Sequence, residues 1–201
     1  MLIGVFGYGS LVDPRSAALT LGRRVEQVWP ARLVGWRRRF SAARDNLHSE
    51  KTFARVSDGW VPPAVLALNL EPDPDRRKEP PNGALIEVTE SELVRLDLRE
   101  LRYDRIDVTA DVRSESVVDT DGSDRVTQVF AYVAKAEHRP TRPPKDAVIL
   151  TTYSAVVEAA FATMGRAALQ TYHRTTGPPP APLMDGRLVG GAIREGNPRA
   201  W

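Results

Sequence analysis

The sequence has no cysteine, which excludes disulfide bonds, thiolate metal sites and a cysteine nucleophile. It has only three histidines (His48, His138 and His173), and their spacing matches no metal-binding signature. No apolar run approaches the ~18 residues that a membrane-spanning helix needs. The N-terminus also lacks the basic start and long apolar stretch of a secretion signal. These absences favour a cytoplasmic protein with no metal site and no membrane partner.

An excess of charge of either sign is also missing. The chain has 28 basic and 26 acidic side chains, and its formal net charge of +2 is too small to indicate nucleic-acid binding by itself. Nucleic-acid binding stays open as an alternative, because the basic run 37–39 lies between Trp36 and Phe40. We favour a solvated strand face for this run and expect no nucleic-acid partner.

At 201 residues, with 42% apolar and 27% charged residues, the chain is long enough for one domain with a substantial core. Short β-prone runs outnumber helical ones, and many follow one another too closely for parallel crossover connections. Strands are predicted at residues 1–6, within 25–42, and at 64–70, 83–88, 106–112 and 126–134. Helices are predicted at 13–21, 90–98 and 149–168.

These elements predict an α+β fold in which a mainly antiparallel, mixed and barrel-like β-sheet is flanked by helices. Thr89 and Glu92 form a capping-box signature at the start of the second helix, and Asp121-Gly122 marks a turn. We place one domain at residues 1–176 and a Pro/Gly-rich C-terminal extension at 177–201. Such an extension forms an arm, a lid or a poorly ordered tail.

The first strand runs into a glycine-rich loop, Gly7-Tyr8-Gly9-Ser10. Glycine permits positive φ angles and close approach of another molecule to the main chain. The loop is not a dinucleotide-binding fingerprint, because Val12 stands where the third glycine is needed. Two interpretations remain, a tight structural turn or a loop whose amides bind a ligand. Ser10 has no identifiable histidine partner, so we expect it to form hydrogen bonds rather than act as a nucleophile.

A second feature is the segment 96–103, LDLRELRY, in which Glu100 lies where the capped helix gives way to a strand. Such junctions direct side chains into clefts, where a carboxylate can serve as a general base. The alternative is a solvated glutamate paired with Arg99, Arg102 or Arg105.

Taken together, the two features resemble the γ-glutamylcyclotransferase superfamily, which includes the ChaC-like enzymes and the AIG2-like proteins. The range Tyr8–Leu11 matches the family's opening motif, and the family's catalytic glutamate falls on Glu100. Segments 31–40 and 152–157 are similar to its second-strand segment and to its late tyrosine-containing helix. The resemblance covers roughly residues 1 to 170 in the family's order.

The resemblance implies a γ-glutamylcyclotransferase-like fold and an enzyme that releases 5-oxoproline from a small γ-glutamyl amide, without metal or cofactor. The substrate's own α-amine attacks its γ-carbonyl. By resemblance, Glu100 is the general acid/base, and the loop Gly7–Leu11 grips the γ-glutamyl group and stabilises the oxyanion through its main chain. Tyr8, Tyr103 and Tyr153 become candidate substrate-binding residues, although Tyr103 and Tyr153 are equally consistent with ordinary half-buried aromatics.

The substrate and even the activity stay open at this point. Many ChaC-like members have an aromatic-rich stretch where residues 37–46 read RRRFSAARDN, so glutathione is not singled out from γ-glutamyl dipeptides or amines. The alternative function is a non-catalytic member that binds a γ-glutamyl or other amino-acid metabolite in the same cleft. The sequence sets no oligomeric state. It also does not choose among four arginines as the ligand of a substrate carboxylate, namely Arg37, Arg39, Arg44 and Arg102.

Overall fold

In a computed structural model of the chain, residues 2–75, 79–113 and 126–191 are described. These residues form twelve β-strands and four α-helices. The strands are β1 (Leu2–Gly7), β2 (Trp29–Leu33), β3 (Trp36–Asp45), β4 (Thr52–Arg55), β5 (Ala64–Pro72), β6 (Asn82–Val88), β7 (Tyr103–Asp107), β8 (Val112–Arg113), β9 (Val126–Ala134), β10 (Ile149–Leu150), β11 (Leu183–Met184) and β12 (Gly186–Gly190). The helices are α1 (Pro14–Leu21), α2 (Glu90–Arg99), α3 (Thr151–Thr163) and α4 (Arg166–Thr175). The turn predicted at Asp121-Gly122 lies outside the described residues.

The strands assemble into a curled half-barrel. Six of them form one sheet in the order β7-β9-β1-β6-β2-β8. Within this sheet β1 pairs parallel with β9, and every other pairing is antiparallel. Two-stranded ribbons are formed by β3 with β5, β4 with β12 and β10 with β11. The predicted α+β fold with a mainly antiparallel, barrel-like sheet is therefore confirmed.

Strand β1 lies inside the sheet and separates two hydrophobic clusters. Ile3 and Val5 pack on one face with the apolar sides of α1 and α2. Phe6 and Tyr8 belong to the larger cluster on the other face. This is the alternation that a strand buried on both faces produces. The chain that follows Gly7 therefore starts from a position where both parts of the core meet.

Helix α1 begins directly after the glycine-rich loop, as predicted. The Oδ1 atom of Asp13 accepts a hydrogen bond from the amide of Arg15 at 3.0 Å and so caps the helix. Pro14 occupies the first helical turn, where its missing N–H costs nothing. Gly22 ends the helix with a left-handed φ of 73°. The loop is thus held between a buried strand and a capped helix.

Helix α2 carries Glu100 to its position. The predicted capping box is present, because Thr89 Oγ1 accepts from the Glu92 amide at 3.3 Å and Glu92 Oε2 accepts from the Thr89 amide at 2.8 Å. Leu93 and Leu96 bury the inner face of the helix. Glu100 is the C-terminal cap, and its amide donates to the Leu96 carbonyl oxygen at 2.8 Å.

The helix predicted at residues 149–168 is wrong in extent. Ile149 belongs to β10, and the helical part is divided into α3 and α4. Gly165 separates the two helices with a φ of 105°, a backbone angle that ends helical geometry. Val156, which the apolar periodicity placed on the buried face, is 46% exposed.

The strand predicted at residues 106–112 is also misplaced. Strand β7 ends at Asp107, whose Oδ1 accepts hydrogen bonds from the amide and hydroxyl of Thr109 at 2.9 and 2.7 Å. An aspartate that bonds to the backbone two residues further on favours a turn, and this turn ends the strand.

The described part of the predicted C-terminal extension, residues 177–191, contains two strands. Strand β11 pairs with β10, and strand β12 pairs with β4. Among the described residues, no helix is both long and apolar enough to cross a lipid bilayer.

Candidate active site

A small cavity of about 50 Å³ lies at the end of β1. Its lining consists of Phe6, Gly7, Tyr8, Gly9, Ser10, Leu11, Leu68, Glu100, Tyr103, Tyr132 and Tyr153. All eight residues that the sequence nominated as catalytic or substrate-binding are among them. Two larger cavities, of about 820 and 440 Å³, include none of the eight. We therefore take the small cavity as the candidate site, because chemistry and not volume identifies it.

The glycine-rich loop contributes its main chain to the cavity wall. After Gly9 the chain makes one 3₁₀ turn, closed by a hydrogen bond from the Val12 amide to the Gly9 carbonyl oxygen at 3.0 Å. The first amides of such a turn, here those of Ser10 and Leu11, have no acceptor within it. A Cβ atom at position 9 would lie 3.2 Å from the hydroxyl oxygen of Tyr153. Glycine therefore lets the loop pack directly against this tyrosine.

Glu100 reaches the cavity from the C-terminal end of α2. Its side chain is 16% exposed, and its Oε1 atom lies 3.0 Å from Nε of Arg99. The alternative of a solvated glutamate paired with a nearby arginine was thus half right. Arg99 is the partner, but its own side chain is only 3% exposed, so the ion pair is buried. The other two arginines pair elsewhere, Arg102 with Glu50 and Arg105 with Asp97.

Arg99 links Glu100 to the glycine-rich loop and to α1. Its Nη2 atom donates to Oγ of Ser10 and to Oγ of Ser16, both at 2.9 Å. Its Nη1 atom donates to the Ser16 carbonyl oxygen at 2.9 Å and to Oγ1 of Thr20 at 2.6 Å. A buried guanidinium is tolerated when its donors are satisfied in this way. The network fixes the positions of the Glu100 carboxylate and the Ser10 hydroxyl relative to each other.

The hydroxyl groups of two tyrosines in the cavity lining, Tyr8 and Tyr132, each donate a hydrogen bond. The Tyr8 hydroxyl donates to the Tyr132 carbonyl oxygen at 2.5 Å, and the Tyr132 hydroxyl donates to Oδ1 of Asp97 at 2.8 Å. Burial raises the pKa of Tyr8 well above its usual value, and the nearby Tyr103 and Glu100 add to this effect. Burial also raises the pKa of Tyr132, with a further contribution from its bond to Asp97. Both hydroxyls therefore remain neutral at physiological pH.

Tyr103 and Tyr153 meet at the backbone of Leu68 in β5. The Tyr103 hydroxyl donates to the Leu68 carbonyl oxygen at 3.1 Å, and the Tyr153 hydroxyl accepts from the Leu68 amide at 3.3 Å. Burial raises the pKa of Tyr153. The sequence left open whether these two tyrosines line the pocket or are ordinary half-buried aromatics, and the structure places both in the cavity lining.

Arg38 supports the glycine-rich loop from behind, although the sequence did not single it out. Its side chain is fully buried, and its Nη1 atom donates to the carbonyl oxygens of Asn82 and Tyr8 at 2.6 and 3.3 Å. The guanidinium carbon lies 4.9 Å from the ring centre of Phe161 and 4.5 Å from that of Tyr172. Burial lowers the pKa of Arg38 to about 9, so the group is still charged at neutral pH.

The four arginines considered as carboxylate ligands do not line the candidate cavity. Arg37 and Arg39 lie beside Glu71, at 3.2 and 3.8 Å. Arg102 donates to both carboxylate oxygens of Glu50. The guanidinium of Arg44 stacks on the ring of Phe53 at 5.1 Å.

Sequence reasoning also missed Leu68 and Tyr132. Leu68 contributes backbone atoms, which no side-chain pattern reveals. Tyr132 lies at a buried position of the predicted strand 126–134. A buried tyrosine hydroxyl needs a hydrogen-bond partner, and this need was the only sequence signal for Tyr132.

Among the described residues, no group of three or more histidines and carboxylates is placed to hold a metal ion.

The sequence was compared with models of known protein families and with curated proteins. Residues 5–151 match the model of the family described as "Gamma-glutamyl cyclotransferase, AIG2-like". No curated protein matches the sequence significantly.

Three solved structures illustrate the shared fold. A γ-glutamyl cyclotransferase aligns with a TM-score of 0.56 and 14% identity, covering 89% of each chain. A γ-glutamyl cyclotransferase specific to glutathione, from yeast, aligns with a TM-score of 0.51 and 17% identity over 87% of this chain and 97% of its own. YkqA from Bacillus subtilis aligns with a TM-score of 0.53 and 18% identity over 86% of this chain.

The chain spans about half the length of YkqA, of which 53% is covered. At these identities the structural likeness establishes the fold and nothing finer. The family match is a match of the sequence itself, and it extends over more than half of the chain. On that basis the chain belongs to the γ-glutamyl cyclotransferase, AIG2-like family.

Proposed function

We propose that this protein is a γ-glutamylcyclotransferase that releases 5-oxoproline from a γ-glutamyl amide. The observation that carries the proposal is that the Glu100 side chain and the main chain of the loop Gly7–Leu11 line one cavity. In the reaction, the α-amine of the substrate attacks its own γ-carbonyl carbon. A C–N bond closes a five-membered lactam, and the C–N bond of the amide breaks. An intramolecular attack of this kind needs a base, donors for an oxyanion and a bent substrate.

Glu100 meets the requirement for a base. An α-ammonium group cannot attack until it loses a proton, and the leaving nitrogen must gain one. We assign both transfers to Glu100, which takes this proton first and returns it later. The α-nitrogen loses a second proton as it becomes the lactam N–H, and the released amine takes up one proton from water to become an ammonium ion, so no proton is consumed overall. Arg99 holds Oε1 at 3.0 Å. We therefore assign the proton to Oε2, the other oxygen of the carboxylate.

The glycine-rich loop meets the requirement for oxyanion donors. The amides of Ser10 and Leu11 open a 3₁₀ turn and have no partner within it, so they are available to a developing negative charge. Backbone donors are fixed in place before the reaction starts, which is what makes them effective. Gly9 lets the loop main chain lie directly against the Tyr153 hydroxyl, because the Cβ atom of any other residue would lie 3.2 Å from this oxygen.

The size of the cavity bears on which amides are accepted. The cavity is small, about 50 Å³. We infer that the leaving amine extends out of the cavity. The neutral hydroxyls of Tyr8 and Tyr153 add polar surface that does not compete with Glu100 for a proton at neutral pH.

The test is 5-oxoproline release from a panel in which only the leaving amine differs: glutathione, γ-glutamyl dipeptides and γ-glutamylamines. Wild type is compared with Glu100→Gln, and with Glu90→Gln as the matched control. Glu90 is an exposed glutamate in the first turn of the same helix. We expect turnover of at least one substrate, a loss of at least about 100-fold in Glu100→Gln, and wild-type turnover in Glu90→Gln.

Binding measurements separate catalysis from mere recognition. If Glu100→Gln still binds the substrate that it fails to turn over, the general acid/base assignment is supported. If the folded wild-type protein binds γ-glutamyl compounds but releases no 5-oxoproline from any of them, the non-catalytic alternative takes its place. Turnover that survives Glu100→Gln would overturn the assignment of this residue.

A further inference from the structure

A second polar cavity, of about 440 Å³, lies on the outer face of the β3–β5 ribbon. Side chains along β3 alternate between the two faces, so Arg38 is fully buried in the core while Arg37, Arg39 and Ser41 line this cavity. The segment 139–143 contributes Arg139, Pro140, Thr141 and Pro143 to the lining. We call this cavity the outer groove. It shares no lining residue with the cavity that contains Glu100.

The outer groove holds more positive than negative charge. Arg37 Nε and Arg39 Nη1 both approach the same oxygen of Glu71, at 3.2 and 3.8 Å. Arg139, on the segment 139–143, has no carboxylate within ion-pair distance in the part of the chain that the structure describes. Glu71 is the one carboxylate among the lining residues, against three arginines. The groove therefore has a surplus of two positive charges.

Packing orients the donors of the groove. Gly177 lies so close to the side chain of Arg39 that a Cβ atom there would be 3.2 Å from the arginine Cγ. Its amide donates to the carbonyl oxygen of Arg38 at 2.9 Å, which holds this contact beside the strand. The hydroxyl oxygen of Ser41 accepts from Nδ2 of Asn69 at 3.2 Å, so its hydrogen remains to be donated.

We propose that the outer groove binds a small dianion, a phosphate monoester or a dicarboxylate, through Arg39 and Arg139. Guanidinium groups suit both chemistries because they donate two parallel hydrogen bonds to planar or tetrahedral oxyanions. Two charges on the ligand match the surplus in the groove, and Ser41 supplies a further donor. This site is separate from the proposed reaction and does not use Glu100.

Calorimetric titration at low ionic strength tests the proposal, with inorganic phosphate as the first probe and succinate as the second. We expect one site per chain whose affinity falls as salt is added. Arg39→Gln and Arg139→Gln should each weaken binding by about tenfold, the usual effect of losing one charge-assisted hydrogen bond. Arg142→Gln is the matched control, because Arg142 is an exposed arginine three positions further on that does not line the groove.

Glu71→Gln should change the affinity for the anion in the direction opposite to that of the arginine variants. Removing this carboxylate frees Arg37 and Arg39, so binding should become tighter, which a damaged fold would not produce. Preference for phosphate or for succinate identifies the ligand class. Failure to bind either anion, equal weakening in Arg142→Gln, or weaker binding in Glu71→Gln would each overturn the proposal. Glu100→Gln should leave the affinity unchanged, so this test is independent of the proposed reaction.

Discussion

Arg38 donates a hydrogen bond from Nη1 to the carbonyl oxygen of Tyr8 at 3.3 Å, from the buried side of the glycine-rich loop. The carbonyl of Tyr8 and the amide of Gly9 belong to one planar trans peptide unit, so their C=O and N–H bonds point in opposite directions. Holding the oxygen toward Arg38 therefore turns the Gly9 amide away from it. Arg38 thus sets the orientation of the peptide between Tyr8 and Gly9 in the loop.

Replacement of Arg38 by methionine should destabilise the fold and impair the site. Methionine has a similar length but no donors, so at least the Asn82 and Tyr8 carbonyl oxygens lose a buried partner. We expect a loss of about 3 kcal/mol or more in the free energy of unfolding, measured by urea denaturation. Arg38→Lys keeps the charge with fewer donors and should be intermediate.

Kinetics distinguish a positioning role for Arg38 from a purely structural one. If Arg38 orients the loop, folded Arg38→Lys should lower kcat of the proposed reaction by more than it raises KM. A variant that loses stability but keeps kcat would show that Arg38 only supports the core.

The contact between Gly9 and Tyr153 predicts a coupled pair of mutations. A Cβ atom added at Gly9 would lie 3.2 Å from the Tyr153 hydroxyl oxygen. We expect Gly9→Ala to reduce kcat/KM by about tenfold, because the new methyl group and this hydroxyl must move apart, and to lower the free energy of unfolding by about 1 kcal/mol or more.

The control for this prediction is a double-mutant cycle. Tyr153→Phe removes the hydroxyl that the new methyl group meets, so Gly9→Ala should be less harmful in the Tyr153→Phe background than in wild type. Additive effects of the two substitutions would mean that position 9 matters for another reason, such as direct contact with substrate.

The contacts of Arg99 predict that the conservative substitution Arg99→Lys impairs the proposed reaction. Its guanidinium reaches Glu100, Ser10, Ser16 and Thr20 at the same time. A lysine has three donors on a single nitrogen and cannot span these four groups. We expect Arg99→Lys to remain folded while kcat/KM for 5-oxoproline release falls by at least about tenfold. Arg95→Lys, on the same helix but outside the cavity lining, is the control. Unchanged kinetics in Arg99→Lys would exclude a positioning role.

Local signals predicted the elements that form the site. The helix predicted at 13–21, the Thr89–Glu92 capping box and the strand predicted at 1–6 each depend on residues close together in the sequence, and each is present. The nominated site residues came from the glycine-rich loop, the end of α2 and two tyrosines, and the fold brings them to one cavity.

The remaining features depend on contacts between distant parts of the chain. The bonds from Arg38 to Tyr8 and from Ala134 to Asn69 span 30 and 65 positions, and no local pattern indicates such partners. The helix predicted at 149–168 failed because its apolar spacing continued through Gly165, where the backbone reverses φ. In the same way, the spacing in Arg37-Arg38-Arg39 could not show that the middle arginine is buried and its neighbours line a groove.

The buried tyrosines predict loss of stability in alkaline solution. Burial raises the pKa values of Tyr8, Tyr132, Tyr153 and Tyr172 in the folded state, whereas a tyrosine in the unfolded chain titrates near pH ~10. Above that pH the unfolded state has released protons that the folded state still holds. The contribution of these tyrosines to stability should therefore be constant up to about pH 9 and then fall as the pH rises, by up to about 1.4 kcal/mol per pH unit for each tyrosine. The lowered pKa of Arg38 acts in the opposite direction above about pH 9, but one arginine offsets only one of the four tyrosines.

Urea unfolding from about pH 8 to about pH 11, followed together with tyrosinate absorbance, tests this sign. Tyrosinate absorbance should rise mainly as the protein unfolds. Tyr132→Phe removes one titrating group, so its stability should fall less steeply with pH than that of wild type, even if its stability at neutral pH is lower. The change in slope reports proton release and not packing. Ionisation of most tyrosines near pH ~10 in protein that is still folded would contradict their placement in the core.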